Sequence, residues 1–178
     1  MRGFTLIELL IVVAIIGILA ALLIPNAMTA IQKSKQKSTM KDIVTMATGA
    51  ADYVTDHGTW AFTHNGAVTG ETGDQFIEAM APFYIKICPT RDAWGTYFNI
   101  YLQSSCAVYG IPATEVAADD FVIGSYGRDK SDGPQSDWSP ANPEASMYVV
   151  QSMVDFNNDM VNWDGSWIIA PRGARSVT

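Results

Sequence analysis

Residues 9–24, LLIVVAIIGILAALLI, carry no polar side chain, and this run constrains the chain more than any other feature. As an α-helix it would extend about 24 Å, or about 31 Å with residues 4–8 added, close to the thickness of a bilayer core. A buried helix of an ordinary domain fits this length and uniformity poorly. A cleavable secretory signal would end on a small-residue site, but residues 25–32, PNAMTAIQ, continue as helix-compatible sequence. The segment reads as a retained membrane span, with Arg2 favouring a cytoplasmic N-terminus. Glu8 is the one inconvenient residue. A charge costs about 2.5–3.5 kcal/mol at the bilayer centre and less near its edge. After Arg2 no Lys or Arg lies within helical reach of Glu8. It either rests among lipid head groups or finds its partner on another molecule.

Beyond the apolar run, Pro25 removes the backbone donor to Ala21 and marks a kink site, with Gly17 a second weak point. Residues 32–39, QKSKQKST, are polar all round and are expected to lie between membrane and globular domain. Met40, Ile43, Val44, Ala47, Ala50, Ala51 and Val54 then recur at three- and four-residue spacing, with Met46 at the edge of the stripe. His57-Gly58 reads as a helix end with glycine in the C-terminal cap. One helix over residues 4–57 follows, its first half (4–24) apolar and its second half burying one face.

From residue 58 to 178 the signals are short β-type runs between turn residues: 84–87, 97–102, 121–123, 147–150 and 167–169, with a short helix over 71–80. Strands after one helix predict an α+β fold, an antiparallel sheet packed on the helix. The 18 acids outnumber the 11 bases and the formal net charge is −7, which argues against nucleic acid as a partner. Lys33, Lys35, Lys37 and Lys41 read as a solvated face near the membrane, or as a contact to anionic lipid head groups. Serine-hydrolase, P-loop, dinucleotide, zinc and paired-cysteine redox signatures are absent, which disfavours an enzyme. Cys88 and Cys106 are either a disulfide, if this part is exported, or two buried thiols. A disulfide would close a loop of roughly 18 residues, worth about 3 kcal/mol.

Three carboxylates, Asp129, Asp132 and Asp137, occupy the glycine-containing stretch 124–138, GSYGRDKSDGPQSDW. Such a loop suits a hard cation such as calcium, which takes six to eight oxygens, although the spacing is not that of an EF-hand. Asp155, Asp159 and Asp164 could form a second oxygen-rich loop, but Asp164-Gly165 reads better as a β-turn.

The order leader, Phe4, Glu8, apolar run is specific. Residues 3–8, GFTLIE, resemble the prepilin peptidase motif of type IV pilins and type II secretion pseudopilins. That resemblance implies a leader of residues 1–3, cleavage after Gly3, N-methylation of Phe4 and retention of the apolar helix. It also implies that Glu8 neutralises the freed N-terminal amine of a neighbouring subunit, and that the stretch between Gly17 and Pro25 loosens as subunits pack. The resemblance narrows further at 91–97, RDAWGTY, which is similar to the Asp-Pro-Trp-Gly turn of major pseudopilins, with Ala93 in place of the proline. The acidic loop is similar to the calcium loop of the same proteins, which implies Asp129 and Asp137 as ligands and Asp132 as a third. The expectation is a structural filament subunit, a major pseudopilin driving protein export, with a true type IV pilin for adhesion, motility or DNA uptake as the alternative. Its partners would be copies of itself, the prepilin peptidase, minor pseudopilins, an inner-membrane assembly platform and membrane lipid. Its globular domain would be periplasmic, below a single span in the inner membrane.

Overall fold

The structure, a computed structural model, describes residues 4–133 and 137–172. The leader, including Gly3, lies outside the described residues. The chain divides after Ser34 into two compact units.

Helix α1 runs from Leu6 to His57 and contains Pro25 without interruption of the helix. Between Phe4 and Ser34 no side chain is buried. The helix includes a stretch long and apolar enough to cross a membrane. At its other end Gly58 adopts φ +78° and donates its N–H to the carbonyl of Val54 at 2.7 Å, the left-handed cap expected there.

In the second unit, residues 35–57 of α1 bury Gln36, Thr39, Ile43, Met46, Ala47, Gly49, Ala50 and Tyr53. This face is rotated from the one the apolar spacing implies. Met46 and Tyr53 are inside, whereas Val44 and Ala51 are exposed. The polar stretch 32–39 is likewise not wholly solvated. Gln36 donates to the Tyr148 hydroxyl at 3.3 Å, and the Thr39 hydroxyl accepts the N–H of Ala93 at 3.1 Å. Alternation of polarity misled here because two polar side chains found partners inside the domain.

Six strands, β1 (Asn65–Ala67), β2 (Asn99–Leu102), β3 (Phe121–Ser125), β4 (Met147–Val149), β5 (Met160–Trp163) and β6 (Ser166–Arg172), form one sheet in the order β1-β2-β3-β5-β6-β4. All neighbours are antiparallel except β4 and β6, which run parallel. Side chains alternate across a strand, so the sheet has two apolar faces. Ile100, Leu102, Phe121, Ile123 and Met160 pack with Ile43, Met46 and Ala50 of α1 in one cluster. Val122, Val161, Ile168 and Ile169 pack with Cys106, Tyr109 and Ile111 in another. The α+β architecture is the expected one.

Two sequence expectations change. The run 84–87 is not a strand; Ile85 packs on Gly49 of α1, where a Cβ would stand 2.6 Å from Ile85 Cγ1. The stretch 154–163 instead supplies β5, which joins β6 through Asp164 (φ +46°) and Gly165 (φ +81°). Two residues at positive φ make this the tight hairpin turn that Asp-Gly favours. The short helix α2 (Gln75–Met80) lies within the expected 71–80.

Candidate functional sites: an assembly segment and an acidic loop

At the N-terminus the residues Thr5-Leu6-Ile7-Glu8 close on themselves. The Thr5 N–H and hydroxyl both donate to Glu8 Oε2, at 2.8 and 2.7 Å, and the Glu8 N–H points back at the Thr5 hydroxyl oxygen at 3.4 Å. This is a capping box, in which residue and backbone satisfy each other's free donors at a helix start. The T-x-x-E spacing was readable in the sequence and is a local reason for a carboxylate at this position. All the large apolar side chains from Leu6 to Ile24 are exposed. Nothing stands within 4 Å of the position a side chain would take at Gly17, and the hydroxyl of Thr29 donates to the Pro25 carbonyl at 3.1 Å.

The Asp92 turn ties three elements together. Asp92 is buried, and its Oδ1 accepts the N–H groups of Trp94 and Thr96, both at 2.9 Å. Its Oδ2 accepts the Ser125 hydroxyl at the end of β3 at 2.8 Å. Gly95 takes φ +85°, which suits only glycine at low cost, and its carbonyl accepts from the Arg91 guanidinium at 2.7 Å. That guanidinium lies 3.7 Å from the centre of the Tyr97 ring. With Ala93 bonded to Thr39 of α1, the turn pins helix to sheet, and Trp94 covers the core as its position in the turn suggests.

The acidic loop follows β3, and antiparallel pairing decides what lies beside it. Ser125 stands opposite Met160, so the residues after 125 meet the residues before 160. Gly127 sits against the carbonyls of Phe156, Asn157 and Asn158, and Arg128 donates its N–H to Phe156. Gly133 donates its N–H to Asp159 Oδ2 at 3.0 Å. Asp159 is 1% exposed, and its Oδ1 has no hydrogen-bond partner. Burial pushes its carboxyl up to about 7; the Gly133 N–H pulls the other way, and the charges of Asp132 and Asp129 push it further up.

Asp129 and Asp132, named from sequence, lie near enough for their charges to act on Asp159, which the sequence placed in a separate loop with Asp155 and Asp164. Asp137 borders a cavity of about 270 Å³ together with Asp159, Asn158 and Tyr148, and its N–H donates to Ser146 at 2.7 Å. Part of the expected loop, residues 134–136, lies outside the described residues. A buried carboxylate oxygen without a donor, flanked by two acids, fits a hard cation. Among the described residues no three Asp, Glu, His or Cys side chains converge closely enough to hold a metal alone. A cation here would also take carbonyl and water oxygens, as calcium does.

Cys88 and Cys106, expected as a disulfide, are both buried free thiols. They belong to separate apolar clusters, and the Cys106 thiol donates to the Tyr101 carbonyl at 3.2 Å. Burial, with the charge of Asp74 adding to it, pushes the Cys88 thiol up to about 12; burial with Asp120 and Asp164 also pushes Cys106 upward. Thiols this hard to ionise are poor nucleophiles. His57 and His64 serve as structural residues: the His57 ring meets the Tyr53 carbonyl, and that of His64 the Ile100 carbonyl, each at 3.0 Å.

Comparison with known proteins adds the following. The family model described as the prokaryotic N-terminal methylation motif matches residues 1–24. Type II secretion system core protein G of Vibrio cholerae serotype O1 is 30% identical over 138 residues, 76% of this chain and 88% of that protein. The proteins of that name from Pectobacterium carotovorum (32% over 141 residues, 72% of this chain and 86% of the relative) and Pseudomonas aeruginosa (31% over 131 residues, 71% and 85%) are similar to it as well. No solved structure matches the chain.

Proposed function

The chain belongs to the family of type II secretion system core protein G, the major pseudopilins, and we propose that its filament is built through Glu8 and stiffened through a cation at the acidic loop. The protein is a structural subunit of a pilus-like filament and not an enzyme. The observation that carries the assembly reading is the run Leu6–Ile24, apolar, helical and wholly unburied, with Glu8 its only charge. Apolar surface of this extent is stable only against lipid or against other such helices.

In this reading the prepilin peptidase cuts after Gly3 and the new amine of Phe4 is methylated. Glu8 of one subunit then pairs with that ammonium on the next, since opposite charges lose less when taken from water together than apart. Copies of the chain are accordingly the first partner, with lipid, minor pseudopilins and the inner-membrane assembly platform beside them. Arg2 supports a cytoplasmic N-terminus and a periplasmic globular domain. Glu8→Val tests the pairing: membrane insertion should persist while filaments seen by electron microscopy disappear. Filaments of normal number and length from that variant would end the inter-subunit charge reading.

Calcium at the acidic loop is supported by the orphaned Oδ1 of Asp159 and by the acids at 129 and 132. Asp159 would hold the ion together with carbonyl and water oxygens, the charges of Asp129 and Asp132 acting from nearby and Asp137 standing at the adjoining cavity. The ion would supply positive charge that fastens the loop after β3 to the start of β5. Chelator should lower the melting temperature of the full chain's globular domain in detergent by several degrees, and calcium but not magnesium should restore it. An unchanged midpoint would remove the cation.

A further inference from the structure

The first half of the chain sorts its charges. Residues 9–41 hold four lysines and no acid, whereas residues 42–85 hold six acids and neither Lys nor Arg. On α1, within the globular unit, the two groups stand at matching intervals. Lys37 and Lys41 are exposed and lie four residues apart; so are and do Asp52 and Asp56. Residues four apart are neighbours on a helix surface, so each group is a pair of like charges side by side. The step from Lys37 to Asp52 is 15 residues, and the step from Lys41 to Asp56 is the same. At about 3.6 residues per turn this is roughly four turns, which leaves all four on one side of α1. Among the described residues none of the four forms an ion pair.

The acidic pair has a shaped surrounding. With Thr55, Phe83 and Tyr84 it lines an open cleft of about 310 Å³. The loop carrying Phe83 is held on α1, because Tyr84 and Ile85 pack at Gly49 and the Tyr84 hydroxyl donates to Asp56 Oδ2 at 3.0 Å. Phe83 itself is 81% exposed. An aromatic ring open to water beside two carboxylates suits a side chain with an apolar stem and a cationic head. Lysine is such a side chain. Between the two charged pairs the outward face of α1 is uncharged: Val44, Thr48 and Ala51 are exposed, and the Thr48 hydroxyl turns back to the Val44 carbonyl at 2.9 Å.

We propose that the Asp52–Asp56 cleft of one subunit receives Lys37 and Lys41 of a second copy, with Phe83 against the lysine stems. A parallel copy displaced by 15 residues along the helix axis, about 22 Å, meets both pairs at once. A contact between two different patches of one chain passes from copy to copy, and it builds an open filament wherever the rotation does not close a ring. The inference rests on the filament reading given above. It adds a contact in the globular unit, on the side of α1 that the core leaves unused. Charge pairs of this kind fix register more than strength, so the contact sets the axial offset between the subunits that share it.

Charge reversal in cells that assemble the natural chain into filaments tests this. Lys37→Glu with Lys41→Glu, and separately Asp52→Lys with Asp56→Lys, should each cut filament number by electron microscopy about tenfold or more, since like charges then meet. Both should leave membrane insertion and the fold of the globular domain intact. The chain with all four substitutions restores opposite charges and should regain filaments. Lys41→Cys with Asp56→Cys places two thiols about 22 Å apart on one helix, too far for a disulfide within a chain. Oxidised filaments of that variant should therefore give a ladder of linked copies on a non-reducing gel. Normal filaments from both reversed chains overturn the inference, as does a fourfold variant that recovers nothing or a ladder no stronger than that of Lys41→Cys alone. Poor membrane insertion on lysine reversal, with normal assembly on acid reversal, also overturns it and gives the lysines to lipid head groups. Glu8→Val run alongside reports on the amine pairing separately, because either contact can fail while the other stands.

Discussion

Residues 6–34 and residues 35–172 follow opposite rules of burial. In the first, no side chain is buried; in the second, apolar residues fill two clusters, one on each face of a sheet. The second region therefore contains the sources of its own stability: the Asp92 turn, the Gly49–Ile85 contact and the hairpin at Asp164-Gly165 all join residues of the same subunit. The first has almost none. Besides the helix ladder it has local bonds such as those of Thr5 with Glu8 and of Thr29 with Pro25. What stabilises it must come from lipid or from neighbouring subunits. A filament protein is thus divided into a part that folds and a part that assembles, and a substitution should reveal which part it belongs to.

The largest expected effect is in the folding part. Asp92→Ala strips acceptors from two backbone N–H groups and from the buried Ser125 hydroxyl, at about 1–3 kcal/mol for each donor left unpaired. The domain's melting temperature should fall by roughly 10 °C or more, with membrane insertion unaffected. A variant that melts normally but inserts poorly would break the division between the two parts.

A pH effect comes next. Asp159 holds its proton up to about pH 7 in the folded domain but only to about 4 in an unfolded chain. Between those limits the folded state binds more protons, so calcium-free stability should be greatest near pH 4 and decline by a few kcal/mol as pH rises to 7, then level off. Denaturant melts across that range would measure it. Asp159→Asn should remove part of the decline, burial having raised Asp164 to about 7 as well, and calcium, which favours the carboxylate, should offset the loss at pH 7. A calcium-free profile that rises through this window would contradict the buried acid.

The smallest effect falls in the assembling part. Thr5→Ala removes a cap worth about 1 kcal/mol, which should speed amide exchange in the first turn about fivefold. The globular domain's melting temperature should not move. If it does, the two regions are coupled more tightly than their burial suggests.

The same contrast explains what could be read in the sequence. The N-terminal segment was legible as an exposed apolar helix with a methylation motif, because these rest on local features: an unbroken apolar run and one charge near its start. Helix α1 and most of the strands were legible from periodicity. The nearness of Asp159 to the loop of Asp129 and Asp132 was not, because it arises only through the pairing of β3 with β5, across residues 126–159. Nor was β1, three residues around a glycine, with too little pattern to register. The run 84–87 misled since apolar residues that pack on a helix look, over four positions, like a strand. The stripe on α1 was offset because Gln36 and Thr39 count as polar by type yet are buried by partnership.

The capping box at Thr5 and Glu8 has a consequence for the order of events. Among the described residues, both donors to the Glu8 carboxylate belong to Thr5, and removal of residues 1–3 would leave these two in place. Accepting these two neutral donors leaves the carboxylate charged but fixes its orientation, with its other lone pairs still open. If the proposed pairing forms, a neighbour's ammonium would meet an acid already oriented by its cap, without having to displace it.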